Sequence, residues 1–236
     1  MLSVICPIYN EAKYIDVCVQ SILLQDYPKQ QLEVLFVDGM SKDGTRDIVN
    51  NYSKQYPFIR LLNNEKRIVP VAMNIGIKAS IGDIVMRLDA HAQYPPNYFS
   101  VLVKELVRLR ADNVGVACKT DVLNKTSKTL AIREVLSNRF GVGNSTFRLG
   151  VDKVIEVDTV PFGCWKKDVF NKYGFYDERL IRNQDIELNK RIVRGGGHIF
   201  IVPDTYCTYL ARETFDGLAK NNFCLLYTSP SPRDCS

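Results

Sequence analysis

Asp89 and His91 stand one residue apart at the end of a short apolar run, Ile84, Val85, Met86 and Leu88. A run that short marks a strand buried on both faces, and turn-forming Pro95 and Pro96 follow it. Ligands of open α/β sheets bind outside the carboxyl ends of the strands. A carboxylate and an imidazole at that edge could hold a divalent cation against a phosphate. An Asp that caps the next turn beside a solvated His is the alternative that the pair alone leaves open. Asp38 is a second carboxylate at a strand end, followed by Gly39 and the loop Ser41-Lys42-Asp43-Gly44-Thr45. Two acidic strand ends, each with a loop behind it, read as a nucleotide site.

The elements that must position these residues follow from periodicity. Leu2 to Ile8 reads as a buried strand, with Asn10 as N-cap of a helix that places Ile15, Cys18, Val19 and Ile22 on one face. Glu33 to Val37 and Phe58 to Leu62 read as strands, and Arg46 to Gln55 and Val69 to Ala79 as helices, with Pro70 tolerated in a first turn. The β-α alternation predicts a mostly parallel central sheet flanked by helices, an α/β fold. In the second half, Asn97 caps a helix through Arg110, and Asn113 to Cys118 is a strand. Thr126 to Arg139 has helical character, and the glycines of Phe140 to Asn144 break it into a loop. Val154 to Val160 and His198 to Val202 are strand-like. Asp185 to Val193 is a helix stopped by the glycines 195–197.

The 236 residues are 46% hydrophobic, enough for one large core. No stretch is apolar for long enough to span a bilayer, and Met1 leads straight into a strand without a signal-peptide pattern. Seven scattered cysteines without a CxxC pair argue against a disulfide framework or a zinc site and suit a reducing compartment. A formal charge of +5 permits anionic ligands and peripheral membrane association, but forms no stripe of the kind nucleic acid requires. Leu225 to Ser236 has no periodicity and resembles a translated sequencing-adapter tail, so residues 225–236 are expected to be non-native.

Five segments in order resemble glycosyltransferase family 2, inverting enzymes of the GT-A fold, and within it the bacterial enzymes of succinoglycan-type exopolysaccharide assembly. They are PIYNE (Pro7 to Glu11), VDGMSKDGT (Val37 to Thr45), NIGIKASIGDIVMRLDAH (Asn74 to His91), FGVGNSTFR (Phe140 to Arg148), and PFGCWKKDVF with GFYDERLIRNQDIELNKRI (Pro161 to Ile192). The resemblance implies one Rossmann-like domain over residues 1–224, with a nucleotide-sugar half (1–112) and an acceptor half (113–224). It implies transfer of a hexose from a nucleotide sugar, most simply a UDP-sugar, to a saccharide or lipid-linked saccharide. It also implies a cytoplasmic location, at the inner face of the plasma membrane.

Residue by residue, the resemblance assigns Asp89 and His91 to the metal and diphosphate motif, usually DxD and here DAH. A neutral imidazole in place of a carboxylate tilts the site from Mg²⁺ toward Mn²⁺. Asp38 would accept hydrogen bonds from uridine, and Pro7 to Tyr9 would line the base pocket with Glu11 beside it. Gly39 replaces a second Asp of the family, and Met73 stands where many members have Arg, so the phosphate-side cation is left among Lys66, Arg67 and Arg87. Asp185 matches the general base, with Gln184 where the family has Glu; Arg191 lies further along that helix and could pair with a carboxylate or phosphate. Gly163 and Trp165 are candidate acceptor contacts, Trp165 equally well a core residue. An inactive nucleotide-sugar-binding module and a sugar-phosphate nucleotidyltransferase are the competing functions. The second lacks its Gly-rich phosphate loop here.

Overall fold

A computed structural model describes residues 1–137, 150–211 and 213–215. Four parallel strands open the chain: β1 (Leu2–Ile8), β2 (Leu32–Asp38), β3 (Ile59–Asn63) and β4 (Ile84–Arg87), in the spatial order β3-β2-β1-β4. Helices α1 (Ile15–Leu23), α2 (Thr45–Gln55) and α3 (Val69–Ala79) connect them. Alternate residues of these strands enter opposite layers. Val4, Cys6, Val34, Phe36 and Met86 pack with α1 on one face of the sheet. Ile5, Leu35, Val37 and Val85 pack with α3 on the other. Burial on both faces is why the strands read as continuous apolar runs. On the α3 side the approach is so close that a Cβ on Gly76 would come within 2.5 Å of Ile5.

The second half departs from the alternating plan. After the two-residue β5 (Ala92–Gln93) and α4 (Tyr98–Arg108), β6 (Asn113–Asp121) lies two places from β4. The place between them is filled by β8 (Cys164–Lys166), antiparallel to both. Helices α5 (Ser127–Ser137), α6 (Val169–Tyr173) and α7 (Gln184–Arg194) follow in chain order, and β9 (Ile199–Leu210) runs parallel to β6 and antiparallel to β5 and β7 (Ile155–Glu156). The sheet is therefore mixed, though mostly parallel at its nucleotide-side end.

Several sequence expectations change in detail. Only Ile155 and Glu156 of the run Val154 to Val160 form a strand. β9 continues past Val202 to Leu210, because a register shift between Val116 and Ala117 lets it resume pairing at Tyr206. Asn10 does not cap α1, which starts at Ile15; its side chain instead accepts from the Lys42 N–H at 2.9 Å. Asn97 occupies the cap position of α4, but its amide reaches the Asp204 carbonyl and Thr205 across the sheet end. The loop Phe140 to Arg148 and the tail 225–236 lie outside the described residues.

Candidate active site

Parallel pairing brings the carboxyl ends of β1, β2 and β4 to one edge. A cleft of about 520 Å³ opens there. Pro7, Tyr9 and Glu11 enter it from β1 and the loop behind it, Val37 and Gly39 from β2, Asn64 and Arg67 from the segment after β3, and Arg87, Asp89 and His91 from β4 and beyond. The opposing wall is Ile181, Arg182, Gln184 and Asp185, at the start of α7, with Tyr209 from β9. The loops after β1 and β2 are zipped together: Asn10 N–H donates to the Ser41 hydroxyl, Glu11 N–H to Thr45, and Ala12 N–H to Asp43. That lacing fixes the donor-side rim.

The structure brings Asp89, His91 and Asp185 into this one cleft. Asp89 is held at both ends. Its N–H donates to the Tyr94 hydroxyl at 2.8 Å, and that hydroxyl donates back to the Asp89 carbonyl at 3.1 Å. Nε and Nη2 of Arg87 both donate to Oδ1 of its carboxylate, at 3.2 and 3.1 Å. Nδ1 of His91 lies 3.3 Å from Oε1 of Glu11, and the ring meets Tyr209 edge-on at 5.1 Å. Asp185 sits in the first turn of α7, where the helix N-terminus favours a carboxylate. Arg87 is 7% exposed. Burial opposes its charge, but the Asp89 and Asp185 carboxylates outweigh burial and hold its pKa above the ordinary arginine value.

The donor set fits a divalent cation that needs few protein ligands. Asp89 and His91 would hold such a cation, with Glu11 beside the imidazole at 3.3 Å, an arrangement common among metal-ligating histidines. No cluster of three or more His, Cys, Asp or Glu converges on one position among the described residues. Two protein ligands would leave the remaining positions to phosphate oxygens and water, as suits Mg²⁺ or Mn²⁺ beside a diphosphate.

Other expected site residues lie elsewhere. Asp38 is fully buried, and its carboxylate is taken by the Ser41 N–H and hydroxyl and by Arg46. It therefore braces the loop from below and is not among the cleft's lining residues. Lys66 pairs with Glu178 at 3.0 Å and does not line the cleft either. Trp165 is 1% exposed, packed against Phe170 and Tyr176, which makes it core and not an acceptor platform. Gly163 has φ +90, and a Cβ there would strike the Trp165 ring at 2.4 Å, so it serves packing. Arg191 pairs with Glu187 and caps the Tyr173 and Phe175 carbonyls, tying α7 to the end of α6. Sequence reasoning missed Asn64, Arg182 and Tyr209. Asn64 follows a third parallel strand, so the logic applied to Asp38 and Asp89 would have found it. Tyr209 arrives only through the β9 register shift, which has no sequence signal.

Comparison with known proteins identifies the family and the fold. The profile of Glycosyl transferase family 2 matches residues 3–174. A Methanococcus voltae protein, dolichyl N-acetyl-alpha-D-glucosaminyl phosphate 3-beta-D-2,3-diacetamido-2,3-dideoxy-beta-D-glucuronosyltransferase, is 28% identical over 218 residues, covering 90% of this chain and 68% of that protein. The succinoglycan biosynthesis protein ExoA of Rhizobium meliloti is 29% identical over 221 residues, covering 89% of this chain and 63% of that protein. The chain thus spans about two thirds of the length of these relatives. Among solved structures, GalNAc-T7 with UDP, GalNAc and Mn²⁺ superposes with a TM-score of 0.70 at 19% identity, over 90% of this chain and 44% of that one.

Proposed function

We propose that this chain, which belongs to glycosyltransferase family 2 and has the GT-A fold, moves a hexose from a nucleoside-diphosphate sugar to a saccharide or lipid-linked saccharide, with inversion. The observation that carries the reading is the cleft itself, with Asp89 and His91 on its donor wall and Asp185 on the opposite wall. The base would lie in the slot formed by Pro7, Tyr9, Gly39 and Arg67. Of the three candidate phosphate-side cations, Arg67 is the reading favoured here, since Lys66 is paired outside the cleft and Arg87 is committed to Asp89. A divalent cation held by Asp89 and His91, Mn²⁺ at least as well as Mg²⁺, would neutralise charge developing on the leaving diphosphate. Asp185 takes the proton of the acceptor hydroxyl as its oxygen bonds to the anomeric carbon, while the bond from that carbon to the phosphate oxygen breaks.

The relatives' printed names, of a transferase acting on a dolichyl-linked saccharide and of a succinoglycan biosynthesis protein, support a cell-surface glycan as product. Among the described residues no helix is long and apolar enough to cross a membrane. The five described cysteines are all free thiols, in keeping with a cytoplasmic setting.

The test begins with a panel of nucleotide sugars, scored for release of nucleoside diphosphate with Mn²⁺, with Mg²⁺ and in excess chelator. Full release in chelator would remove the metal role of Asp89 and His91. With the donor so identified, Asp185→Asn should lower transfer by roughly 10²- to 10⁴-fold, the worth of a positioned base. UDP affinity should stay within about twofold, because Asp185 stands on the acceptor wall. Normal turnover by Asp185→Asn would withdraw it as the base.

A further inference from the structure

Arg87 is an arginine almost wholly inside the protein, yet it lines the cleft. Its N–H is fixed by the Gly163 carbonyl at 3.0 Å. Its guanidinium carbon lies 6.0 Å from the centre of the Phe162 ring. Phe162 and Gly163 reach these positions through two consecutive left-handed conformations, φ 63 and 90. A non-glycine residue in that region costs energy and persists only where the surroundings demand it. The strained turn thus fixes the Arg87 backbone and sets the Phe162 ring against its guanidinium. Two of its nitrogens, Nε and Nη2, then converge on a single oxygen, Oδ1 of Asp89. The third, Nη1, is buried without a hydrogen-bond partner among the described residues.

This grip differs from a side-by-side Arg–carboxylate pair, in which each oxygen receives its own donor. Here both donors share one oxygen, so the carboxylate cannot rotate freely, while its second oxygen carries no hydrogen bond from the described residues. The Asp89 backbone is locked independently by Tyr94, so Arg87 controls only the orientation of the carboxylate plane. We propose that Arg87 is a positioning residue of the donor wall: by holding Oδ1 of Asp89 it reserves Oδ2 for the divalent cation that accompanies the nucleoside diphosphate. This rests on the reading of Asp89 and His91 given above.

A competing physical effect makes the idea testable by sign. A guanidinium beside a bound cation also repels it, and at a few ångströms in a partly buried site that repulsion is not small. If Arg87 were merely a neighbouring positive charge, removing it would tighten cation binding. If it positions the ligand, removing it weakens binding by about 10- to 100-fold, the usual cost of losing a partner behind a metal ligand.

The experiment titrates Mn²⁺ into the full chain with saturating UDP and follows the signal of free Mn²⁺ by electron paramagnetic resonance, for wild type, Arg87→Met, Arg87→Lys and Asp89→Asn. Arg87→Met is expected to bind Mn²⁺ 10- to 100-fold more weakly. Arg87→Lys, which keeps the charge but cannot offer two fixed donors, should also bind about tenfold more weakly. Tighter or unchanged binding in Arg87→Met overturns the proposal. Should Arg87→Met fail to fold, Arg87→Lys decides alone, and wild-type affinity there overturns it. Asp89→Asn separates the two levels: if it binds Mn²⁺ like wild type, the donor-wall reading fails and the proposal goes with it. If Asp89→Asn loses Mn²⁺ while Arg87→Met keeps it, the positioning role alone is lost.

Discussion

Asp38 ends β2 and Asp89 lies two residues past the end of β4, two parallel strands separated only by β1, and they have opposite fates. Asp38 is sealed, with no exposed surface and its carboxylate engaged by Ser41 and Arg46. Asp89 stays at the cleft wall, gripped through one oxygen. The difference lies in what each neighbouring loop offers. The loop after β2 turns back at once, supplies a hydroxyl three residues on and starts a helix carrying Arg46, so its donors reach the carboxylate first. The last residue of β4, Arg87, sits behind the carboxylate, and Tyr94 satisfies only the backbone. Topology brings an acid to the ligand edge, and local donors decide whether it remains available there.

The largest effect expected from this contrast is at Asp89. Asp89→Asn keeps the shape but loses the charge that would hold the cation, so metal-dependent release of nucleoside diphosphate should fall by about 10²- to 10³-fold, the scale seen when one electrostatic stabiliser is removed. The fold should survive, because Tyr94 holds the backbone of residue 89 and not its side chain. Steady-state release together with a thermal melt reads both quantities. A variant that releases diphosphate normally would erase the distinction between the two acids.

Asp38→Ala should show the reverse pattern. It strips the hydrogen bonds that Ser41 and Arg46, 30% exposed, make to the Asp38 carboxylate and leaves Arg46 only Asn63 as acceptor among the described residues. The cost is about 1–3 kcal/mol, which for a chain of this size lowers Tm by roughly 2–4 °C per kcal/mol. UDP affinity measured by calorimetry below the melting range should change little. A large loss of UDP affinity with an unchanged melt would restore Asp38 as the uridine contact that the family resemblance implies.

How much of this was legible beforehand divides along the same line. Strand ends and the β-α alternation follow from periodicity, because burial on both faces leaves continuous apolar runs and parallel crossovers fix one ligand edge, whereas the placing of Asp185 opposite Asp89 and His91 was an expectation of the family resemblance alone. What was not legible depends on side-chain competition or on non-local pairing. Nothing in VDGMSKDGT says that Arg46 will reach Asp38 first. Nothing in PFGCWKK says that three residues will slip as a reversed strand between β4 and β6. Trp165 could be read as platform or core until its neighbours Phe170 and Tyr176 were placed around it.

The smallest and sharpest prediction concerns the residue next to Asp38. Gly39 lines the cleft where Asp38 does not. A Cβ added there would meet Cδ2 of Tyr9 at 3.1 Å and the Arg67 backbone at 3.4 Å. Those distances require the neighbours to give by a few tenths of an ångström, and Tyr9, 47% exposed, can give outward. Gly39 does not adopt the left-handed backbone that only glycine tolerates easily, so Gly39→Ala should leave stability within about 0.5 kcal/mol of wild type. Its effect should fall on the slot between Tyr9 and Arg67, where a flat base would be held. One methyl group in such a slot is worth about tenfold in affinity at the low end of what a pocket can discriminate. UDP binding should therefore weaken by about tenfold while uridine-free pyrophosphate binds as before. Adjacent positions would then separate cleanly, Asp38 governing the melt and Gly39 the affinity. If Gly39→Ala binds UDP as tightly as wild type, the base does not lie between Tyr9 and Arg67, and the donor must enter the cleft in another orientation.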